Sequence, residues 1–363
     1  MPDGVHLVLL GAHQTMRPLS EKCVTFFDFL RFGLAQVVLI GHGIGMFYSY
    51  WGGFFPKHIP YLQQIAVVGF FFVSGFLICR SVMTNFKYKG GDATHYFVDR
   101  FARIYTTLIP SLLFVLVADL LFSCAYPEAA LLTYVRAKNF IYNLGLIPSM
   151  PLGTLRPIWS LMFEWWIYIL FGGLVFFRKR WFLCLICIWM GAKYTFTVNA
   201  QGEAGHLEVI WFAGALGAFW FDRLTQRTEI ARLSWPALSG AVAIYLYTKN
   251  SYHLVAGLLM TLGLVLLAAR LNSDEKAVSQ VKKQRYAALA GFSFTLFMTH
   301  YTVLYWIQQA LGSTTIGFLS SILLANLLAF ALAYCTERHH KTVAVLLLEL
   351  VRRRRWRLSQ SSN

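Results

Sequence analysis

Polar residues in this chain collect between apolar stretches, and ten of those stretches are long enough to suggest a bilayer crossing. An α-helix rises 1.5 Å per residue, so about 20 mostly apolar residues cover the hydrocarbon core. The stretches fall at approximately 26–48, 62–82, 105–125, 158–177, 181–198, 207–222, 234–249, 253–271, 287–310 and 314–335, the sixth and seventh being short. The pattern predicts an all-α fold, a polytopic transmembrane helix bundle of about ten spans. It divides the chain into an N-terminal segment 1–25, a transmembrane domain 26–338 and a tail 339–363. Val5–Ala12 is short and interrupted by His6, so no signal peptide is expected, and Met16 is a second candidate start. No repeat with a period of 20–50 residues is visible.

Composition agrees with a membrane protein. Hydrophobic residues make up 57% and charged residues 13%, against about 45–50% and about 25% in an average soluble chain. Lys and Arg number 32 and Asp and Glu 16, a formal charge of +16. In a soluble chain that balance raises nucleic-acid binding, but the basic runs here match no reading motif, and no nucleic-acid partner is expected. Membrane proteins gather Lys and Arg in cytoplasmic loops. With both termini cytoplasmic, most of the basic residues fall inside, and five (Lys57, Arg136, Lys138, Arg156, Lys249) fall outside. Only the loop 126–157 departs from the rule. TVAVLLLELV, running into RRRRWR, reads as a basic interfacial anchor on membrane lipid. Cys184 and Cys187 form a C-x-x-C inside an apolar stretch without a second ligand pair, so no metal is expected.

Candidate chemistry lies in ionisable residues within the apolar stretches, since a charge at mid-bilayer costs about 2.5–3.5 kcal/mol even on the lenient insertion scale. They are Asp28, Arg31, His42, Asp119, Glu164, Lys193 and His300. Arg31 and His42 are eleven residues apart, which puts them on one helical face about 16 Å apart along the axis. Asp28 precedes Arg31 by three, close enough to pair with it. Glu164 and His300 fall at a depth similar to that of His42, roughly 10 Å from the outer surface. Two imidazoles and a carboxylate lining one cavity there suit proton abstraction from a hydroxyl; a polar network that only satisfies itself across helices is the competing account. Arg100 and Arg103, three apart in YFVDRFARIY, make a guanidinium fork fit for phosphate. Ser74 has no base beside it in sequence, and Ser-Gly in a membrane helix points to close packing.

Together these segments resemble the acyltransferase-3 family, bacterial membrane O-acyltransferases that modify surface glycans. Arg31 and His42 match its R-x10-H pattern, with Asp28 at the usual place. GFFFVSGFLI (69–78) is similar to its F-F-x-x-S-G helix, Arg100 and Arg103 to R-x-x-R, IWSLMFEWWIY (158–168) to W-S-L-x-x-E, and FSFTLFMTHY (292–301) to the late helix ending in His. Two departures stand out: Trp165 follows the glutamate where the family often has a second acid, and Pro110 comes later than its usual proline.

The resemblance implies transfer of an acyl group, most often acetyl, from cytoplasmic acyl-CoA to a hydroxyl of an extracytoplasmic or lipid-linked sugar, at a bacterial inner or plasma membrane. Acyl-CoA would be the donor substrate and a glycan the acceptor. Arg100 and Arg103 would hold the coenzyme A phosphates, the pantetheine arm would reach up past Arg31, with Asp28 beside Arg31 among the catalytic residues, and His42 would be the general base. Glu164 or His300 would orient it or bind the sugar. A proton-coupled secondary transporter of a small polar or anionic solute is the rival class, favoured by the buried charges and the glycine-rich GHGIG.

Overall fold

In the computed structural model, residues 17–48, 61–200, 206–274 and 277–361 are described. Met16 and Lys57 lie outside them. The described residues form helices, short 3₁₀ turns and loops, with no strand.

The chain begins with α1 (Glu21–Tyr48), α2 (Leu62–Lys89) and α3 (Ala93–Ser123). A 3₁₀ turn and α4 (Ala137–Leu144) precede α5 (Ile158–Phe176), α6 (Trp181–Ala200) and α7 (Leu207–Thr225). After the single turn α8 (Thr228–Ala231) come α9 (Ser234–Thr248), α10 (Leu254–Ser273), α11 (Gln280–Ala290) and α12 (Ser293–Leu311). α13 (Thr315–Cys335) and α14 (His340–Ser361) complete the fold.

Each of the ten apolar stretches overlaps a long helix, but not every helix has the length and apolarity of a span. Six runs qualify: Glu21–Tyr48, Leu62–Tyr88, Ala93–Ser123, Ile158–Phe176, Leu254–Ser273 and Thr315–Arg354. A seventh is the pair α11 and α12, bent by 44° at the break between them. The remainder are short or interrupted: α7 carries Glu208, Asp222 and Arg223, and α9 has 15 residues. The described residues are thus all-helical. Six of their helices, or seven if the bent pair is one span, are long and apolar enough to cross a membrane, against the ten stretches read from the sequence.

Small residues set how closely the helices pack. Without a hydrophobic drive between helices in lipid, close backbone approach supplies the contact. A β-carbon on Gly75 of α2 would strike the Trp211 carbonyl of α7, and one on Gly214 would come within 2.6 Å of the Phe72 carbonyl oxygen. On α13, Gly317, Ser321, Ala325, Ala329 and Ala333 repeat every four residues on the buried face. Its opposite face exposes Ile316, Leu319, Leu323, Leu327 and Phe330 to the surroundings, as a lipid-facing stripe does.

Two intramembrane charges serve the architecture. Arg80 pairs with Asp222 at 2.7 Å and joins α2 to α7. Asp119 is fully buried and accepts hydrogen bonds from the Thr154 amide (2.9 Å), the Thr154 hydroxyl (2.8 Å) and the Trp306 indole (2.8 Å). Gly153 lies at φ +48° directly against this carboxylate, where a side chain has neither the backbone freedom nor the room. Asp119 thereby fastens the 126–157 connection to α3 and α12.

Candidate active site

The two arginines of R-x-x-R owe their position to a tight turn. α2 stops at Gly90, which is left-handed (φ +65°) and donates its amide to the Asn85 carbonyl. The Asn85 side chain then bridges the Asp92 amide (3.1 Å) and carbonyl (3.0 Å), and Asp92 caps α3 by accepting from the Thr94 amide at 2.8 Å. Burial raises the Asp92 carboxyl, but hydrogen bonds from His95 and Thr94 outweigh it and hold the group below the usual carboxylate range. Arg100 and Arg103 follow two and three turns into α3.

Both guanidiniums line a cavity of about 1030 Å³, at the upper end of the ~300–1,000 Å³ typical of small-molecule and cofactor sites. Asp28 and Arg31 reach it from α1, Ser74 from α2, Glu164 and Tyr168 from α5, and Phe294 and Phe297 from α12. Arg31 and Asp28 share the cavity without an ion pair within 4 Å of each other, so the expected close pairing is not formed.

The arginines are not equivalent. Arg103 lies 3.2 Å from Glu337, which is fully buried and also accepts from the Thr295 amide and hydroxyl at 2.9 Å each. Among the described residues Arg100 makes no ion pair, and its Nε is buried without a hydrogen-bond partner. Arg31 and Arg100, unlike Arg103, therefore keep their guanidiniums for a ligand.

Glu164 lines this cavity while His42 and His300 do not, in contrast to the expectation that all three would line one cavity. It accepts the hydroxyl of Tyr168, one helical turn on. Tyr168 Oη lies 3.0 Å from Ser74 Oγ, and the Trp211 indole donates to the same serine at 3.0 Å. Since the tyrosine proton is given to Glu164, Ser74 donates to Tyr168. The serine is tied into a polar chain across α2, α5 and α7, consistent with a packing role.

His42 and His300 meet beside an aromatic ring of the cavity wall. Phe297 lines the cavity and contacts both Phe70, at 5.4 Å between ring centroids, and His300, at 6.2 Å. His300 is fully buried, and its Nε2 is 3.0 Å from Nδ1 of the half-buried His42. His300 Nδ1 faces the carbonyl oxygens of Leu296 (3.0 Å) and Phe297 (2.9 Å). Carbonyls only accept, so His300 carries its proton on Nδ1 and presents a lone pair at Nε2. His42 then donates from Nδ1, which leaves the lone pair of His42 Nε2 free: a base with its tautomer fixed by a partner.

A family model described as an acyltransferase domain, Acyl_transf_3, matches residues 24–338. The chain belongs to the acyltransferase-3 family. No curated protein and no solved structure matches it. As an acyltransferase-3 member it is an acyltransferase with several helices of membrane-spanning length and apolarity, and the family match covers most of the chain.

Some of this acyltransferase-3 site was not singled out in the sequence. Tyr168 stands four residues after Glu164, a helical spacing that brings the two side chains together, and that signal was present. Glu337 follows the last apolar stretch as one acid among the charges of ERHHK, and nothing local marks it as the partner of Arg103. The cavity also continues past the end of the family match, onto α14.

Proposed function

We propose that this protein is a membrane O-acyltransferase that moves an acyl group, acetyl in the first instance, from acyl-CoA to a hydroxyl of an extracytoplasmic or lipid-linked glycan. The observation that carries the proposal is the tautomer-locked His42, set one ring away from a cation-lined cavity of cofactor size. The cavity lining includes Arg100, Arg103, Lys341 and Arg352, which belong to segments that the positive-inside rule assigns to the cytoplasmic side, and this supports entry of the donor from there. In this reading both termini are cytoplasmic, the ten long helices that overlie the apolar stretches cross a bacterial inner or plasma membrane, and the histidine pair lies toward the outer half.

Acyl-CoA fits the cavity by volume and by charge. Arg100 and Arg31, without carboxylate partners of their own, offer planar donor forks to its phosphates and along its arm. Phe70 and Phe297 face the thioester end and exclude water from it. The sugar hydroxyl approaches His42 from the other side. His42 Nε2 takes the hydroxyl proton as the oxygen attacks the thioester carbonyl; the carbon–sulfur bond breaks, and the imidazolium returns the proton to the departing thiolate. General-base catalysis of this kind is worth roughly 10²–10⁴ in rate. Direct attack by the sugar needs no acyl-enzyme, and Ser74, already engaged at both its proton and a lone pair, is not used as a nucleophile. Glu164 and Asp28 line the donor's path.

The test is release of free coenzyme A from acetyl-CoA by the purified protein in nanodiscs, with and without the cell's glycan fraction. Release that depends on glycan is expected. A transporter has no reason to cleave a thioester, so intact acetyl-CoA across donors and glycans, with well-folded protein, rejects the acyltransferase reading in its favour.

A further inference from the structure

α14 begins beyond the family match, which ends at residue 338, and its sequence invites reading as a lipid anchor alone. Its position contradicts so simple a role. Lys341, Ala344, Val345, Leu348, Glu349 and Arg352 all line the 1030 Å³ cavity, and their spacing of three and four residues makes them one face of the helix. That face lies against α3, the helix that carries Arg100 and Arg103. The other face exposes Leu346 (55%) and Leu350 (61%), apolar surface suited to the membrane interface. The helix therefore has two functional sides, one toward lipid and one toward the cavity.

The charges on the cavity side are informative. Among the described residues, Lys341 and Arg352 have no carboxylate within 4 Å, and neither do Arg31 and Arg100. Arg100 keeps a buried Nε without a partner. Arg103 is already committed to Glu337. The acids of the same wall are Asp28, Asp99, Glu164 and Glu349, and of these Glu164 is engaged by Tyr168. Unpaired cations thus continue from the interior of the cavity to its rim, half of them supplied by α14. A molecule with several phosphates at one end and a thin arm at the other matches that distribution.

We propose that α14 is a wall of the donor site and that Lys341 and Arg352 bind the phosphate end of the acyl donor. The proposal rests on the acyl-CoA reading above. It assigns the segment after residue 338 to substrate recognition as well as to membrane contact.

Two measurements test it in Lys341→Gln/Arg352→Gln protein held in nanodiscs, with Lys341→Arg/Arg352→Lys as a charge-preserving control and thermal unfolding as a check of the fold. The first is equilibrium binding of coenzyme A itself, of 3′-dephospho-coenzyme A and of pantetheine, in neutral and in anionic lipid. The second is turnover of acetyl-CoA against acetyl-pantetheine. The neutralised variant is expected to bind coenzyme A at least roughly tenfold more weakly, about 1.4 kcal/mol, and to raise the acetyl-CoA KM to match at constant kcat. Pantetheine should be unaffected in both assays, and the control should behave as wild type. Unchanged coenzyme A binding in a folded variant overturns the proposal, and so does a loss seen only in anionic lipid, which would make a lipid headgroup the ligand. Wild-type protein that binds coenzyme A through these residues but cleaves no thioester would reject the acyltransferase reading while leaving this one standing; wild type that does not bind it at all overturns both.

Discussion

Removing the His300 imidazole tests the geometry of the proposed base without touching the donor cavity. His300 Nε2 is the acceptor for His42 Nδ1–H at 3.0 Å, and its own Nδ1 is anchored by two carbonyls on the preceding turn. In His300→Ala the His42 ring, itself half-buried, loses that imidazole partner but keeps its hydrogen bond to the Val38 backbone one turn back. A hydrogen bond of this kind contributes about 0.5–1.5 kcal/mol, so without it the ring is freed to rotate or change tautomer. Either movement takes the Nε2 lone pair out of position. A loss of about 100-fold in kcat is expected, which is about 2.7 kcal/mol and lies at the lower bound of what a general base supplies. The donor KM should stay where it is, because His300 does not line the cavity. His300→Gln keeps a donor for the carbonyls and an acceptor for His42, so it should recover to within about tenfold of wild type. The assay is steady-state release of coenzyme A in nanodiscs, normalised to folded protein. Wild-type kcat in His300→Ala, or a raised donor KM with kcat retained, refutes the argument.

Arg100→Ala should raise the donor KM roughly tenfold with little effect on thermal unfolding, since its guanidinium is uncommitted. Arg103→Ala should instead destabilise the fold by about 3 kcal/mol, because it strands Glu337 as a buried charge, and adding Glu337→Gln should restore much of the loss in a thermal melt. Asp119→Ala removes the acceptor of three buried donors and should lower stability by about 3 kcal/mol in the same measurement, while kcat of the folded fraction holds.

Hydropathy and loop charge reveal where helices lie and which residues sit deep, because burial in lipid constrains both directly. They do not reveal which way a side chain faces. Arg80 and Asp222 are 142 positions apart, and Arg103 and Glu337 are 234 apart, so their pairings follow from helix packing that no local pattern encodes. Depth placed Glu164 level with His42 and His300, yet α5 turns it into the cavity toward Tyr168, away from the histidines. Asp119 read as a charge in the wrong solvent, and its role as the acceptor for Thr154 and Trp306 needed the connection 126–157 to be folded against it. The tail was legible as amphipathic and basic; that its cationic face meets the cavity depends on where α3 lies. Arg31, His42 and His300 stood out in the sequence because each is an ionisable residue in a helix where such residues are expensive.

The central claim is that His42 takes a proton from a glycan hydroxyl while acyl-CoA occupies the cavity. Its most direct test is transfer of label from [acetyl-¹⁴C]-CoA to the glycan fraction by wild type and by His42→Ala, with coenzyme A binding measured on both proteins. The account predicts labelled glycan only with wild type and equal coenzyme A binding by the two. Label transferred at the wild-type rate by His42→Ala would contradict it.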